Sequence, residues 1–192
     1  MAWPSAWGRE PGPSFAGRAR SGPPAWSPPA RPAAPPAPSH LRDVGIASAL
    51  VEVGGELHGY GRKPDGTPWR VLVEAGAAAD TAAGEPRVLA LDDLAVATSG
   101  DRWHAYEREG RRYAHTIDPR SGMPVEHAPA AVSVIAGAAM QADAWATALT
   151  VLGAESGYAL AQQHGLAARF LEHGADGVRE RMTDAFRAHL AA

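Results

Sequence analysis

The chain has 192 residues, a formal net charge of −3, a pI near 6.2 and 45% apolar side chains. That length and apolar share suffice for one cored domain, and the mildly acidic balance argues against a nucleic-acid partner, which selects a basic stripe. No apolar run reaches the roughly 18 residues a membrane span needs, residues 1–38 lack the apolar stretch of a signal peptide, and zero cysteines exclude disulfides, thiolate metal sites and a lipobox.

The average conceals a division. Eleven of the 17 prolines precede residue 40, with four arginines and a single acid, Glu10, whereas the remaining 14 basic and 20 acidic side chains lie from Leu41 onward. Residues 1–40 are expected to form a disordered Pro/Ala/Arg-rich tail with polyproline II character, because such a composition buries too little apolar surface to offset its ordering entropy. Residues 23–38 could serve as a proline-rich ligand, but they show no well-formed PxxP with a basic anchor.

Residues 49–53 alternate and are rich in branched side chains, which predicts a strand ending at Gly54-Gly55; residues 56–61 predict a second. Pro64-Asp-Gly-Thr-Pro68 is turn chemistry, and residues 69–74 predict a third strand, so the second and third are expected to form a hairpin or meander. Residues 76–84 read as an exposed loop, and residues 87–91 and 94–98 as short strands. A strand over residues 111–117 is expected to pair with residues 103–107 across the turn Arg108-Glu-Gly110, followed by a strand over residues 131–135. Residues 140–152 predict a helix with Gly153 at its C-cap, and residues 155–164 a second helix closed by Gly165. A short strand over residues 168–172 and a terminal helix over residues 184–190, with Asp184 as N-cap, complete the chain. No internal repeat occurs, and strands followed by a helical pair predict an α+β domain over residues 41–192.

Two runs carry chemistry. In His115-Thr-Ile-Asp-Pro-Arg-Ser-Gly-Met-Pro124, His115 would lie on a strand in phase with Tyr113 and Ile117, with Asp118 at the strand end before a proline-fixed turn. Reactive groups collect at such ends, and a histidine there can take a proton from an attacking hydroxyl. The plainer readings are a structural histidine and, for Asp118, a turn-former. In Gln141-Ala-Asp-Ala-Trp-Ala-Thr-Ala-Leu149, helical spacing puts Asp143 and Thr147 on one face, where carboxylate and hydroxyl can hold a hard cation such as magnesium, which completes its shell with water and phosphate. Against this stand a helix-dipole role for a first-turn aspartate and a back-bond from threonine to its own i−4 carbonyl. Gly54-Gly55 and Thr98-Ser99-Gly100 follow strands and can bring backbone N–H groups to a phosphate, or simply turn the chain. Ser99 is not set in a nucleophile elbow, and no HExxH, Walker A or GxGxxG pattern occurs.

In order and spacing, five blocks resemble the ApbE family of flavin transferases: Leu50-Val-Glu-Val-Gly-Gly-Glu-Leu57, Gly61-Arg-Lys-Pro-Asp-Gly-Thr-Pro-Trp-Arg70, Ala97-Thr-Ser-Gly100, His115-Thr-Ile-Asp-Pro-Arg-Ser-Gly122 and Ala142-Asp-Ala-Trp-Ala-Thr-Ala-Leu149. The resemblance covers about residues 42–190 and implies a mixed, mostly antiparallel sheet with C-terminal helices. It also implies a magnesium-dependent enzyme that takes FAD as substrate, passes its FMN half to a threonine hydroxyl of a target flavoprotein and releases AMP. By the matching blocks, Asp143 and Thr147 would hold Mg2+, and His115 would be the base for the incoming hydroxyl. Ile117 would pack on the flavin nucleotide with Asp118 beside it in the cofactor-binding set, and Gly54, Gly55, Ser99 and Gly100 would shape the cleft.

Ser121 stands where the family usually has threonine, and nothing in residues 1–40 resembles the family's N-terminal half. The chain is therefore expected to be the C-terminal part of such an enzyme, with open sheet edges and an exposed apolar face that make it poorly soluble or dependent on a partner. Two other functions fit the same residues: an FAD pyrophosphatase in which water replaces threonine, and an inactive flavin-binding remnant. Members of the family usually work outside the cytoplasm, but this sequence does not indicate a compartment or a target flavoprotein.

Overall fold

The structure is a computed structural model that describes residues 37–74, 85–100, 105–108, 111–126, 129–174 and 177–191, all within the unit Pro35–Ala192. Residues 1–36 of the expected tail and the expected loop over residues 76–84 lie outside the described residues. A short helix, α1 (Ala37–Asp43), crosses position 40, where the tail was expected to end.

Six strands form one antiparallel sheet: β1 (Ala49–Val53), β2 (Glu56–Tyr60), β5 (Leu94–Ser99), β10 (Ala131–Ala136), β11 (Ala167–Gly174) and β12 (Gly177–Met182), in that spatial order. Three two-stranded hairpins accompany it: β3 (Trp69–Val73) with β4 (Arg87–Leu91), β6 (Ala105–Arg108) with β7 (Arg111–Ala114), and β8 (Ile117–Asp118) with β9 (Met123–Pro124). Helices α2 (Ala139–Leu152) and α3 (Ala154–Gln163) lie between β10 and β11, and α4 (Asp184–Arg187) closes the chain. The α+β class with an antiparallel sheet is thus as expected.

Four local expectations are corrected. The second and third strands do not pair: β2 lies between β1 and β5, whereas β3 pairs with β4 from Trp69↔Leu91 to Val73↔Arg87. The turn between them is closed by Lys63 N–H to the Thr67 carbonyl (2.9 Å) and by Asp65 Oδ1, which accepts from Thr67 N–H (2.9 Å) and Oγ1 (2.6 Å). It lays β3 across the sheet rather than beside β2, and the Trp69 indole N–H bonds to the Tyr60 carbonyl at 3.0 Å. The strand expected over residues 111–117 ends at Ala114, because the Thr116 carbonyl accepts from Val125 N–H (2.9 Å) and Ile117 pairs with Pro124. His115 therefore sits in a bend, not on a strand in phase with its neighbours. The cap of α4 is Thr183 rather than Asp184: its hydroxyl oxygen accepts from Phe186 N–H and from Ala168 N–H (2.9 Å) while donating to the Leu166 carbonyl (2.8 Å). Finally, β12 was not anticipated, because its charged sequence Gly-Val-Arg-Glu-Arg-Met disguises a strand as a solvated segment.

The sheet has a core on each face. Under α2 and α3, Val132, Val134, Ala168 and Phe170 meet Ala146, Leu149 and Ala161. Small residues let the layers approach closely: a Cβ on Gly157 of α3 would stand 2.9 Å from the Leu149 carbonyl oxygen and 3.1 Å from the Phe170 ring. On the opposite face the β3–β4 hairpin and α4 bury Val71, Val73, Leu89, Leu91 and Phe186 against Val96, Ile135 and Ala167. The returning chain also binds the hairpin's outer strand, through Ala90 N–H to the His189 carbonyl (3.0 Å) and Ala191 N–H to the Val88 carbonyl (2.8 Å).

That second face also contains charge. The fully buried Arg169 donates from Nε to Glu180 Oε1 (2.7 Å), and Glu180 accepts on its other oxygen from Arg87 Nη2 (2.6 Å). Burial pulls the Arg169 guanidinium below its ordinary value, against the hydrogen bond to Glu180, which holds it up. Burial pushes the Glu180 carboxyl up, but the hydrogen bonds from Arg87 and Arg169 outweigh it and keep the group below the usual glutamate value.

Candidate functional site

A cavity of about 540 Å³ opens at the end of the sheet where the β1–β2 turn, the ends of β3 and β5, the bend at His115 and the flank of α2 converge. Each wall has a local cause. Val53 pairs with Glu56, leaving Gly54 (φ 65°) and Gly55 (φ 101°) as a two-residue hairpin turn that requires positive φ at both positions. Ser99 ends β5 opposite Val132, and Gly100 follows so close to the neighbouring backbone that a Cβ there would stand 2.3 Å from the Ala130 carbonyl oxygen. Thr98 and Ser133 share a hydroxyl–hydroxyl bond of 2.8 Å that ties β5 to β10 beneath the cavity.

Helix α2 supplies a further side. Its buried residues, Ala142, Ala146, Leu149 and Thr150, sit at helical spacing against the sheet. Asp143 and Thr147 each follow a buried alanine and so lie about 100° further round the helix, exposed and lining the cavity. Asp143 is in the second turn, beyond the reach of a helix-dipole role, since α2 begins at Ala139 and has no acid in its first turn. The i−4 back-bond belongs to a different threonine, Thr150, which donates to the Ala146 carbonyl at 2.9 Å.

Of the residues singled out from sequence, Gly54, Gly55, Ser99, Gly100, His115, Asp143 and Thr147 line this one cavity. Ile117 and Asp118 do not. Ile117, half exposed, lines a shallower groove with Pro119, Arg120, Ala144, Ala148 and Val151, which shares Asp143 and Thr147 with the cavity and so adjoins it. Asp118 builds the β8–β9 turn: its carboxylate accepts from Arg120 N–H (2.9 Å), Nε (2.9 Å) and Nη2 (2.7 Å), and its carbonyl from Gly122 N–H (2.8 Å). That hydrogen bond with Asp118 raises the Arg120 guanidinium above its ordinary value.

Sequence reasoning missed the wall made by Leu72, Val73 and Glu74, and Glu56 on the turn. None of them left a signal in the sequence; only the structure shows Leu72 as a large apolar side chain that is 59% exposed on a strand.

Among the described lining residues the charges are the carboxylates of Glu56, Glu74 and Asp143, with His115 beside them and no lysine or arginine. A bare polyanion would be repelled; one carrying a divalent cation would not. The hard oxygens of Asp143 and Thr147, one turn apart, fit an ion that takes few protein ligands. No group of three or more His, Cys, Asp or Glu residues that could form a closed metal site occurs among the described residues. No described helix is long and apolar enough to cross a membrane.

An antiparallel α+β domain whose end cleft joins hairpin glycines, a histidine and a helical oxygen pair defines a class with ready counterparts. The model of the ApbE family matches residues 33–170, and the chain belongs to that family. It is 36% identical over 152 residues to the FAD:protein FMN transferase of Escherichia coli K12, covering 79% of this chain and 43% of that protein, and 34% identical to that of Vibrio cholerae, covering 79% and 45%. Among solved structures, the apo flavinyl transferase ApbE of Pseudomonas stutzeri superposes with a TM-score of 0.70 at 45% identity, covering 80% of this chain and 47% of that one. The chain thus spans about half the length of the relatives it matches.

Proposed function

We propose that this chain forms the phosphate-handling part of a flavin transferase, which moves FMN from FAD to a threonine hydroxyl of a target flavoprotein and releases AMP. The observation that carries the reading is the convergence of seven of the nine expected site residues on one cavity. Its charge supports it further: among the described residues the cavity is lined by carboxylates and by no lysine or arginine, which favours a pyrophosphate that arrives with a divalent cation, and Asp143 and Thr147 are the oxygens that would hold Mg2+. When bound, the ion would neutralise phosphate charge that builds up as the pyrophosphate bond breaks.

The chain's own residues supply the rest. The Gly54-Gly55 turn and the Ser99-Gly100 end of β5 bring backbone close to the ligand without side-chain bulk. His115, exposed in a bend that lines the cavity, would accept the proton of an arriving hydroxyl. The adjoining groove with Ile117 offers apolar surface beside the oxygens, suited to a flavin ring system.

Incubation with FAD, MgCl2 and a threonine-containing flavoprotein target tests this. Covalently bound fluorescent flavin on the target, with AMP in equal amount, is the expected result. Free FMN and AMP without labelled target would replace the reading by an FAD pyrophosphatase, and neither product by a flavin-binding remnant.

A further inference from the structure

The β3–β4 hairpin gives the cavity one wall through Leu72, Val73 and Glu74, yet it is not hydrogen-bonded strand to strand with the six-stranded sheet. Its cavity end is tied to the sheet by the side chain of Arg169 on β11. Nη1 donates to the carbonyl oxygens of Val73 (3.2 Å) and Glu74 (3.0 Å), and Nη2 to that of Glu85 (2.7 Å). One fully buried guanidinium therefore holds both the chain leaving β3 and the chain approaching β4. Nε holds Glu180 on β12, and Arg87 of β4 grips the same carboxylate and meets Glu85 at 3.0 Å, so the tie closes on itself.

A buried cation is costly, and hydrophobic packing already secures the middle of the hairpin through Val71, Leu89 and Leu91. The guanidinium sits instead at the end that forms the cavity wall. Its planar fork of donors suits several carbonyls at fixed angles, a task that lysine, with a compact point charge, cannot perform.

We propose that Arg169 is a positioning residue for ligand binding: through Val73, Glu74 and Glu85 it fixes the hairpin wall of the cavity and so sets affinity for FAD. This rests on the flavin reading above. Arg169 lines neither the cavity nor the groove, and acts only through the backbone it holds.

The test uses the full chain with Arg169→Lys and, as a milder variant that leaves the guanidinium in place, Glu180→Gln. Amide hydrogen exchange at residues 72–74 and 85–88 is expected to accelerate in Arg169→Lys while α2 and β10 keep their protection. FAD titrated in the presence of MgCl2 and followed by flavin fluorescence is expected to bind about tenfold more weakly, with a smaller loss in Glu180→Gln, as displacement of a wall by a fraction of an ångström would produce. In the transfer assay KM for FAD rises, with kcat changed less than about twofold. Wild-type affinity in Arg169→Lys overturns the inference, and so does exchange that rises uniformly over the chain, which would show general destabilisation. A wild-type chain that binds no FAD removes the flavin reading and this assignment with it, whereas wild-type binding undiminished in the variant removes this inference alone.

Discussion

On one face of the sheet, α2 and α3 press Ala146, Leu149 and Ala161 onto Val132, Val134 and Phe170. On the other, the β3–β4 hairpin covers an apolar patch but shares the interior with Arg169 and Glu180. The helices satisfy their own backbone, so close packing is enough to hold them, and α2 can turn Asp143 and Thr147 outward at no cost to the core. Where the hairpin's strands end, the carbonyl groups of Glu74 and Glu85 accept from a buried guanidinium. Both faces contribute to the same cavity, one through exposed side chains on a rigid helix and the other through backbone held by a buried charge. Substitutions on the two faces should therefore fail in different ways.

The largest separation should come from Asp143→Ala. Covalent flavin transfer is expected to fall by more than roughly 100-fold, since even outer-shell changes at metal sites cost roughly 10–100-fold. Its urea midpoint should stay the same or rise slightly, because alanine is the better helix former by up to about 0.7 kcal/mol. A variant that keeps full activity would show that the oxygen pair does not hold the metal. Phe170→Ala, at the centre of the helical face, should cost about 3–5 kcal/mol in urea unfolding, and a loss under about 1 kcal/mol would mean that this face is not the principal core.

Acid should strike the other face first. Glu180 is held below the ordinary glutamate value by its two arginines, so the unfolded chain binds its proton more readily. The stability it contributes is present above the unfolded value, about 4.3, and is lost as pH falls from there through its depressed folded value. Hydrogen exchange measured along that descent should show β3 and β4 losing protection before α2 and α3, and simultaneous loss would break the contrast. The smallest effect is Thr183→Ala, which removes the α4 cap and the buried hydroxyl linked to Ala168 and Leu166. It should cost about 1–2 kcal/mol by thermal unfolding.

Legibility in the sequence followed the range of the forces involved. Strands β1, β4, β5 and β10 and helix α2 came from alternation, helical spacing and glycine punctuation, which act within a few residues. The hairpin of β3 was assigned to the wrong partner because pairing depends on how the turn at Asp65 directs the chain, not on either strand's own pattern. The end of β7 before His115 was hidden for a similar reason, since Thr116 pairs with Val125 rather than with β6. Arg169 gave no warning at all: an arginine in a strand is usually a solvated residue, and only the carbonyls brought to it from Val73, Glu74 and Glu85 reveal a buried one.

The sequence by itself determined the α+β class and the family, because strand alternation, helical spacing and glycines at turns act through local backbone geometry. Only the tertiary structure decided that seven of the expected site residues share one cavity and that a charge buried on the opposite face of the sheet holds one of its walls. Those relations are made between segments that lie tens of residues apart, and local sequence chemistry does not encode which of them will meet.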